Sequence, residues 1–189
     1  PGLLEHQRQL VELGNQLMWF SVELCMALYG AGRFFSLENP ELSWLWVQLV
    51  IQKLYKLPGV AFVKFLFRDY GVPFYKPTLI LHNLPTFHEL SCGVSSWLGP
   101  LVTLRGQVVW DGVKVFKTHL AQTYPPLLGL RMAELGAEAI AMAETAVDGG
   151  SPVPMAVVSE DAGIPISLQQ VAWELDGLAE EESSDGEGL

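Results

Sequence analysis

The chain has 189 residues, of which half are apolar, 17% are charged and 11% are aromatic. This composition excludes a disordered polyelectrolyte and suits one folded domain with an appendage. The net charge of −10 is unevenly placed: all 11 Lys and Arg lie at or before Arg131 beside eight acids, whereas residues 132–189 carry 13 acids and no base.

In chain order, Leu10, Leu17, Met18, Leu24, Cys25 and Leu28 recur at helical spacing and predict one long amphipathic helix from Leu3 to Tyr29, closed by Gly30 and Gly32. Phe34, Phe35, Ser36 and Leu37 form a short apolar run that predicts a buried parallel strand stopping at Glu38. Asn39 is then a good N-cap and Pro40 a good first helical residue for a helix carrying Leu42, Leu45, Trp46, Leu49, Val50 and Leu54 on its apolar face. Leu57-Pro58-Gly59 breaks that helix. Val60 to Phe67 and Pro77 to Leu81 read as two strands around a loop at Gly71 and Pro73, most simply an antiparallel pair.

Gln107 to Trp110, Asp111-Gly112 and Val113 to Phe116 spell a β-hairpin, because Asp-Gly supplies the left-handed pair that a tight hairpin turn needs. Leu127 to Val147, rich in Ala, Leu, Met and Glu, predicts a helix. The expected domain is therefore 1–148, followed by a Gly/Pro linker over 149–166, a short amphipathic helix over 167–178 and an acidic tail over 179–189. The expected fold class is α/β.

Cys25 and Cys92 are too few for a disulfide scaffold and lack the CxxC spacing of a zinc site, so the setting expected is intracellular. Cys25 belongs to an apolar helix face and Cys92 to a Ser-Cys-Gly loop without a helper base. His82, His88 and Cys92 have no paired ligand spacing, and His6 and His119 lie far off in sequence, so no metal is expected. The apolar stretches are shorter than the about 20 residues that cross a bilayer.

Two features carry chemistry. Glu38-Asn39-Pro40 stands where a strand meets a turn, and in an open α/β sheet ligands bind at the carboxyl ends of strands. The plainer alternative is a carboxylate favouring a helix N-terminus beside an ordinary cap. Lys53, Lys56, Lys64, Arg68 and Lys76 place five bases within 24 residues beside Tyr55, Phe74 and Tyr75, a composition able to neutralise phosphates and stack on bases, or simply to solvate one face.

A strand ending in Glu38-Asn39, a helix, a strand, Asp69-Tyr70-Gly71-Val72-Pro73 and another strand together resemble the later part of DNA cytosine-5 methyltransferases over residues 33–82. Gly32 to Trp46, Tyr70-Gly71 with Lys76-Pro77-Thr78, Cys92, Leu104-Arg105-Gly106 and Thr123-Tyr124-Pro125 are similar to methyltransferase-like open reading frames of protist and algal mobile elements, from about Glu12 to Met132. The resemblance implies the carboxyl-terminal half of a doubly wound, class I methyltransferase-like sheet. Glu38 would hold the edge of an extruded cytosine, with Asn39 and Pro40 shaping the turn. Lys76 and Thr78 would stand at two spaced arginine positions and Phe74 at a glutamine, and Arg68 and Tyr75 would join the DNA-contacting set. The cofactor implied is S-adenosylmethionine, whose Gly-rich turn and acidic ribose contact, like the Pro-Cys nucleophile loop, are expected upstream of Pro1.

The function expected is thus a truncated or degenerate methyltransferase-like piece that contributes a base-pocket wall and DNA contacts without catalysing alone. Its cofactor would require the upstream half, its partners would be DNA, that half or a second copy, and the resemblance implies a nuclear location. The alternative is a noncatalytic interaction module working through the acidic, amphipathic C-terminus. The incomplete sheet, with an open edge and uncovered helix faces, predicts self-association.

Overall fold

The computed structural model describes residues 4–148, so the linker, the 167–178 helix and the acidic tail expected from the sequence lie outside the described residues. The first helix, α1, runs from Glu5 to Gly30 and starts with the Leu4 N–H donating to Gln7 Oε1 at 2.8 Å. It ends where the Arg33 N–H bonds back to the Leu28 carbonyl at 2.8 Å. The stripe expected on this helix divides: Cys25 is buried with Val22, whereas Leu10, Leu17 and Leu24 are exposed.

The next strand, β1 (Ser36–Pro40), corrects two expectations. Phe34 and Phe35 precede the strand instead of forming it, because they anchor the chain in two different layers: Phe34 packs against the cluster that holds Ile80 and Leu128, and Phe35 lies inside the one under α1. An apolar run that looks like a buried strand is here a crossing between two cores. The strand itself is half-buried and antiparallel to its neighbour β3 (Pro77–His82).

Nor does a helix begin at Pro40. Pro40 closes β1, where an edge strand tolerates a residue without an N–H, and Asn39 sits opposite Leu79 in the ladder instead of capping. The Pro40 carbonyl accepts the Ser43 N–H at 3.0 Å and the Trp46 indole N–H at 2.8 Å. Ser43 is the cap in fact, its hydroxyl accepting the Leu45 N–H at 3.2 Å ahead of a 3₁₀ turn over Trp44–Val47. Gln48, extended at ψ 133°, separates that turn from a short helix, α2 (Leu49–Tyr55).

Strand β2 (Ala61–Leu66) pairs antiparallel with β3, giving the order β1-β3-β2. Since β1 and β2 both oppose β3, they run parallel to each other, and α2 carries the crossover between them. Pro40 lies opposite Thr78 and Leu66 opposite Pro77, so the carboxyl ends of β1 and β2 share one rim with the start of β3.

Alternation along β3 feeds two cores. Leu79 and Leu81 join Val22, Cys25, Trp46, Ile51 and Leu54 under α1 and α2. Ile80 joins Val63, Phe65, Leu90, Leu128 and Leu135 under the last helix, α3 (Pro126–Asp148), and a 3₁₀ segment over Phe87–Cys92. Each fully buried Leu, Ile or Phe contributes roughly 1.5–3 kcal/mol. Helices on both faces of a small sheet make the chain α/β.

The predicted hairpin forms as β4 (Gln107–Trp110) and β5 (Val113–Phe116), a separate two-stranded sheet. Asp111 and Gly112 have φ 48° and 77°, the two positive values of a type I′ turn. A 3₁₀ segment over Lys117–Ala121 then leads back towards the rim of the larger sheet.

Candidate functional site

Glu38 projects from β1 on the α3 side of the sheet, since its register partner is Ile80. Tyr124, in the link between the Lys117–Ala121 segment and α3, donates its hydroxyl to Glu38 Oε2 at 2.7 Å across 86 residues of sequence. The other oxygen, Oε1, is shut off from water and has no hydrogen-bond partner. A buried polar atom of that kind is uncommon, because leaving it unmatched costs about 1–3 kcal/mol, more for a charged group.

Lys76 completes the cluster. Its ammonium donates to the Ala121 carbonyl at 3.2 Å and sits 4.3 Å from the centre of the Phe67 ring, which packs on Tyr124 at 6.0 Å. Burial lowers the Lys76 pKa from the usual lysine value and the nearby Glu38 carboxylate opposes that shift. Burial, reinforced by the bond to Glu38, raises the Tyr124 phenol above the ordinary tyrosine range, so it stays a donor at neutral pH. The arrangement is a carboxylate with one oxygen filled and one open, under the field of a partly desolvated cation.

Lys76 and Ala121 also line a cavity of about 820 Å³ at the same rim, together with Pro40, Glu41, Lys64, Tyr75 and Arg105. Lys64 pairs with Glu41 there, and Tyr75 is exposed at the mouth. The cavity wall therefore carries three cations against one carboxylate beside an aromatic ring, at the carboxyl end of β1.

The structure thus brings Glu38, Pro40, Lys76 and Tyr75 to one rim and leaves other candidates outside. Asn39 is on the opposite face of β1 from Glu38, opposite Leu79. Thr78 is fully buried, its hydroxyl donating to the Lys76 carbonyl at 3.4 Å, and does not reach solvent. Arg68 lies 3.6 Å from Asp69 and its carbonyl accepts the Trp97 N–H, which ties it to the loop around Trp97. Phe74, half-buried, forms a bridge with Val102.

The five bases do not make one patch. Lys64 and Lys76 line the rim cavity, whereas Lys53 and Lys56 lie at the end of α2, ahead of the amino end of β2 at the other side of the sheet. Cys25 is buried, with its thiol pushed up by desolvation, and Cys92 is exposed at the end of its 3₁₀ segment. Among the described residues no three His, Cys, Asp or Glu are gathered as a metal site would need. His82 faces Phe87, and His88 turns to the Pro85 carbonyl at 2.8 Å.

Sequence reasoning missed Tyr124 and Phe67. Tyr124 stood in Thr123-Tyr124-Pro125, a motif noted for its resemblance alone, and nothing local ties it to Glu38. No family model matches the chain, and neither does any curated protein or solved structure.

Proposed function

We propose that this chain supplies one wall of a base pocket and part of a DNA-contacting rim, as the carboxyl-terminal half of a doubly wound, methyltransferase-like sheet that does not transfer methyl groups alone. The observation that carries the reading is the open Glu38 Oε1, buried in the middle of β1 without a donor. A carboxylate in that position accepts from the exocyclic amino group of a cytosine edge, which thymine replaces with a carbonyl. With Tyr124 holding Oε2, the carboxylate is kept from rotating away.

Three further features support it. The carboxyl ends of β1 and β2, joined through α2, meet at one rim, the kind of place where an α/β sheet holds ligands, although antiparallel β3 lies between the two strands. Lys64 and Lys76 at the cavity would meet backbone phosphates, and Tyr75 offers an exposed face for stacking. Glu38-Asn39 lies on β1 and Asp69-to-Pro73 in the loop between β2 and β3, the order the resemblance requires. S-adenosylmethionine enters only with an upstream half, and no residue of 4–148 is assigned to it.

The test is fluorescence anisotropy with two single-stranded oligonucleotides that differ by one central cytosine or thymine. The cytosine strand should bind about tenfold or more tightly, the scale of one charge-assisted hydrogen bond. Glu38→Gln should erase most of that preference while leaving the thymine strand's affinity unchanged. Equal binding of both strands by the wild-type chain, or a preference that survives Glu38→Gln, rejects the base-edge role. Methyl transfer by the chain without a partner rejects the noncatalytic part.

A further inference from the structure

Helix α1 carries two apolar seams. Val22 and Cys25, with Leu28 and Tyr29 beside them, pack on the domain core. Leu10, Leu13, Leu17, Phe20 and Leu24 form the other, and all five are exposed, from 49% at Leu24 to 66% at Leu10. At 3.6 residues per turn the two seams lie roughly 110° apart around the helix. The domain that covers the first leaves the second exposed from Leu10 to Leu24.

The exposed seam alternates steps of three and four residues from Leu10 to Leu24. That is the period of 3.5 by which one helix keeps a line of contact with another, Leu10, Leu17 and Leu24 taking the a positions and Leu13 and Phe20 the d positions. A helix needed only to cover its own domain has no use for a second such line. The positions flanking it indicate what it contacts: Gln9, Gly14, Gln16 and Ser21 are uncharged, and Glu23 alone is ionic. Charges at these flanks are what select a different partner chain. Neutral flanks let identical copies meet, and in a parallel pair Gln9 faces Gly14 of the other copy and Gln16 faces Ser21, so no like charges oppose each other.

We propose that α1 is a self-association surface: two copies of this chain pair through the seam from Leu10 to Leu24 as a parallel two-stranded coiled coil. The helix needs no separate nucleation on pairing, because its carboxyl-terminal half is already docked on the core. The seam covers only about 22 Å of helix, so the dimer should be reversible and concentration-dependent.

The experiment is light scattering on the full chain across a dilution series, where a monomer weighs 20.9 kDa. The mass should approach twice that value at high concentration, and Leu13→Glu with Phe20→Glu should return it to the monomer with an unchanged far-UV circular dichroism spectrum, since both side chains are exposed. Trp19→Glu, exposed but off the seam, should leave the dimer intact. In a Cys92→Ser background, Leu17→Cys should form a disulfide-linked dimer under mild oxidation and Asn15→Cys, on the far side of α1, should not. Three results would each overturn the proposal: a full chain that stays monomeric at every concentration; a dimer that survives the paired Glu substitutions; or equal crosslinking at positions 15 and 17.

Discussion

At the scale of single residues, His82 shows how an unmatched polar group becomes a pH dependence. It is buried against Phe87, and neither ring nitrogen has a hydrogen-bond partner. Burial lowers its pKa to about 4, the neighbouring His88 pushes in the same direction, and a backbone interaction at Leu84 offsets this only in part. Because the folded value lies below the unfolded 6.5, the unfolded chain takes up the proton first; the native state keeps its full advantage above pH 6.5 and loses it as pH falls towards 4. The loss should reach about 3 kcal/mol, read as the difference in urea midpoint between wild type and His82→Leu at pH 7 and at pH 4.5. A difference that does not change with pH would refute it. Glu38 and His82 also mark the limits of legibility at this scale. That Glu38 lies on a strand could be read from its neighbours, although the strand runs on to Pro40 instead of stopping at Glu38; its open oxygen depends on Tyr124, which is distant in sequence, and the isolation of His82 depends on which face of β3 it takes.

At the scale of elements, what could be read from the sequence was what local chemistry decides. Asp111-Gly112 fixes a turn by backbone conformation alone, so the hairpin appears where expected, and Leu57 to Gly59 likewise ends α2. Pro40 was read as the first residue of a helix and instead ends a strand, for a physical reason: a proline suits the first turn of a helix and the end of an edge strand alike, since neither site needs its N–H. The turn after the Phe87–Cys92 segment holds a comparable constraint that only the fold exposes. Gly93 has φ +63°, and a β-carbon there would lie 2.8 Å from the Asp69 carbonyl oxygen. That oxygen cannot retreat easily, because it accepts the N–H groups of Val94 and Ser95 at 3.0 Å each. Gly93→Ala should therefore destabilise the fold by at least about 2 kcal/mol, measured by chemical denaturation. An unchanged midpoint would mean that the loop relaxes freely.

At the scale of the whole molecule, the two cores are bound together by one strand. Leu79 and Leu81 point into the α1 and α2 side while Ile80 points into the α3 side, so neither layer can lose its packing without disturbing the residues between. Composition and periodicity foretold enough apolar surface for a domain, but not that it would divide into two layers around a three-stranded sheet, because the division follows from a register that pairs β3 with both neighbours. Leu54, on α2, and Leu135, on α3, are each fully buried on opposite sides of the sheet. Truncating either to Ala removes the same side-chain volume and should cost about 2–5 kcal/mol. If β3 couples the layers, each variant shifts a single transition, and tryptophan fluorescence and far-UV circular dichroism report the same midpoint in both. If Leu135→Ala instead produced two separated transitions, the α3 layer would be an independent unit, and the rim where Tyr124 meets Glu38 would open before the rest of the sheet. The site and the fold would then fail at different denaturant concentrations, whereas a common transition makes the closed Glu38 cluster a property of the intact domain.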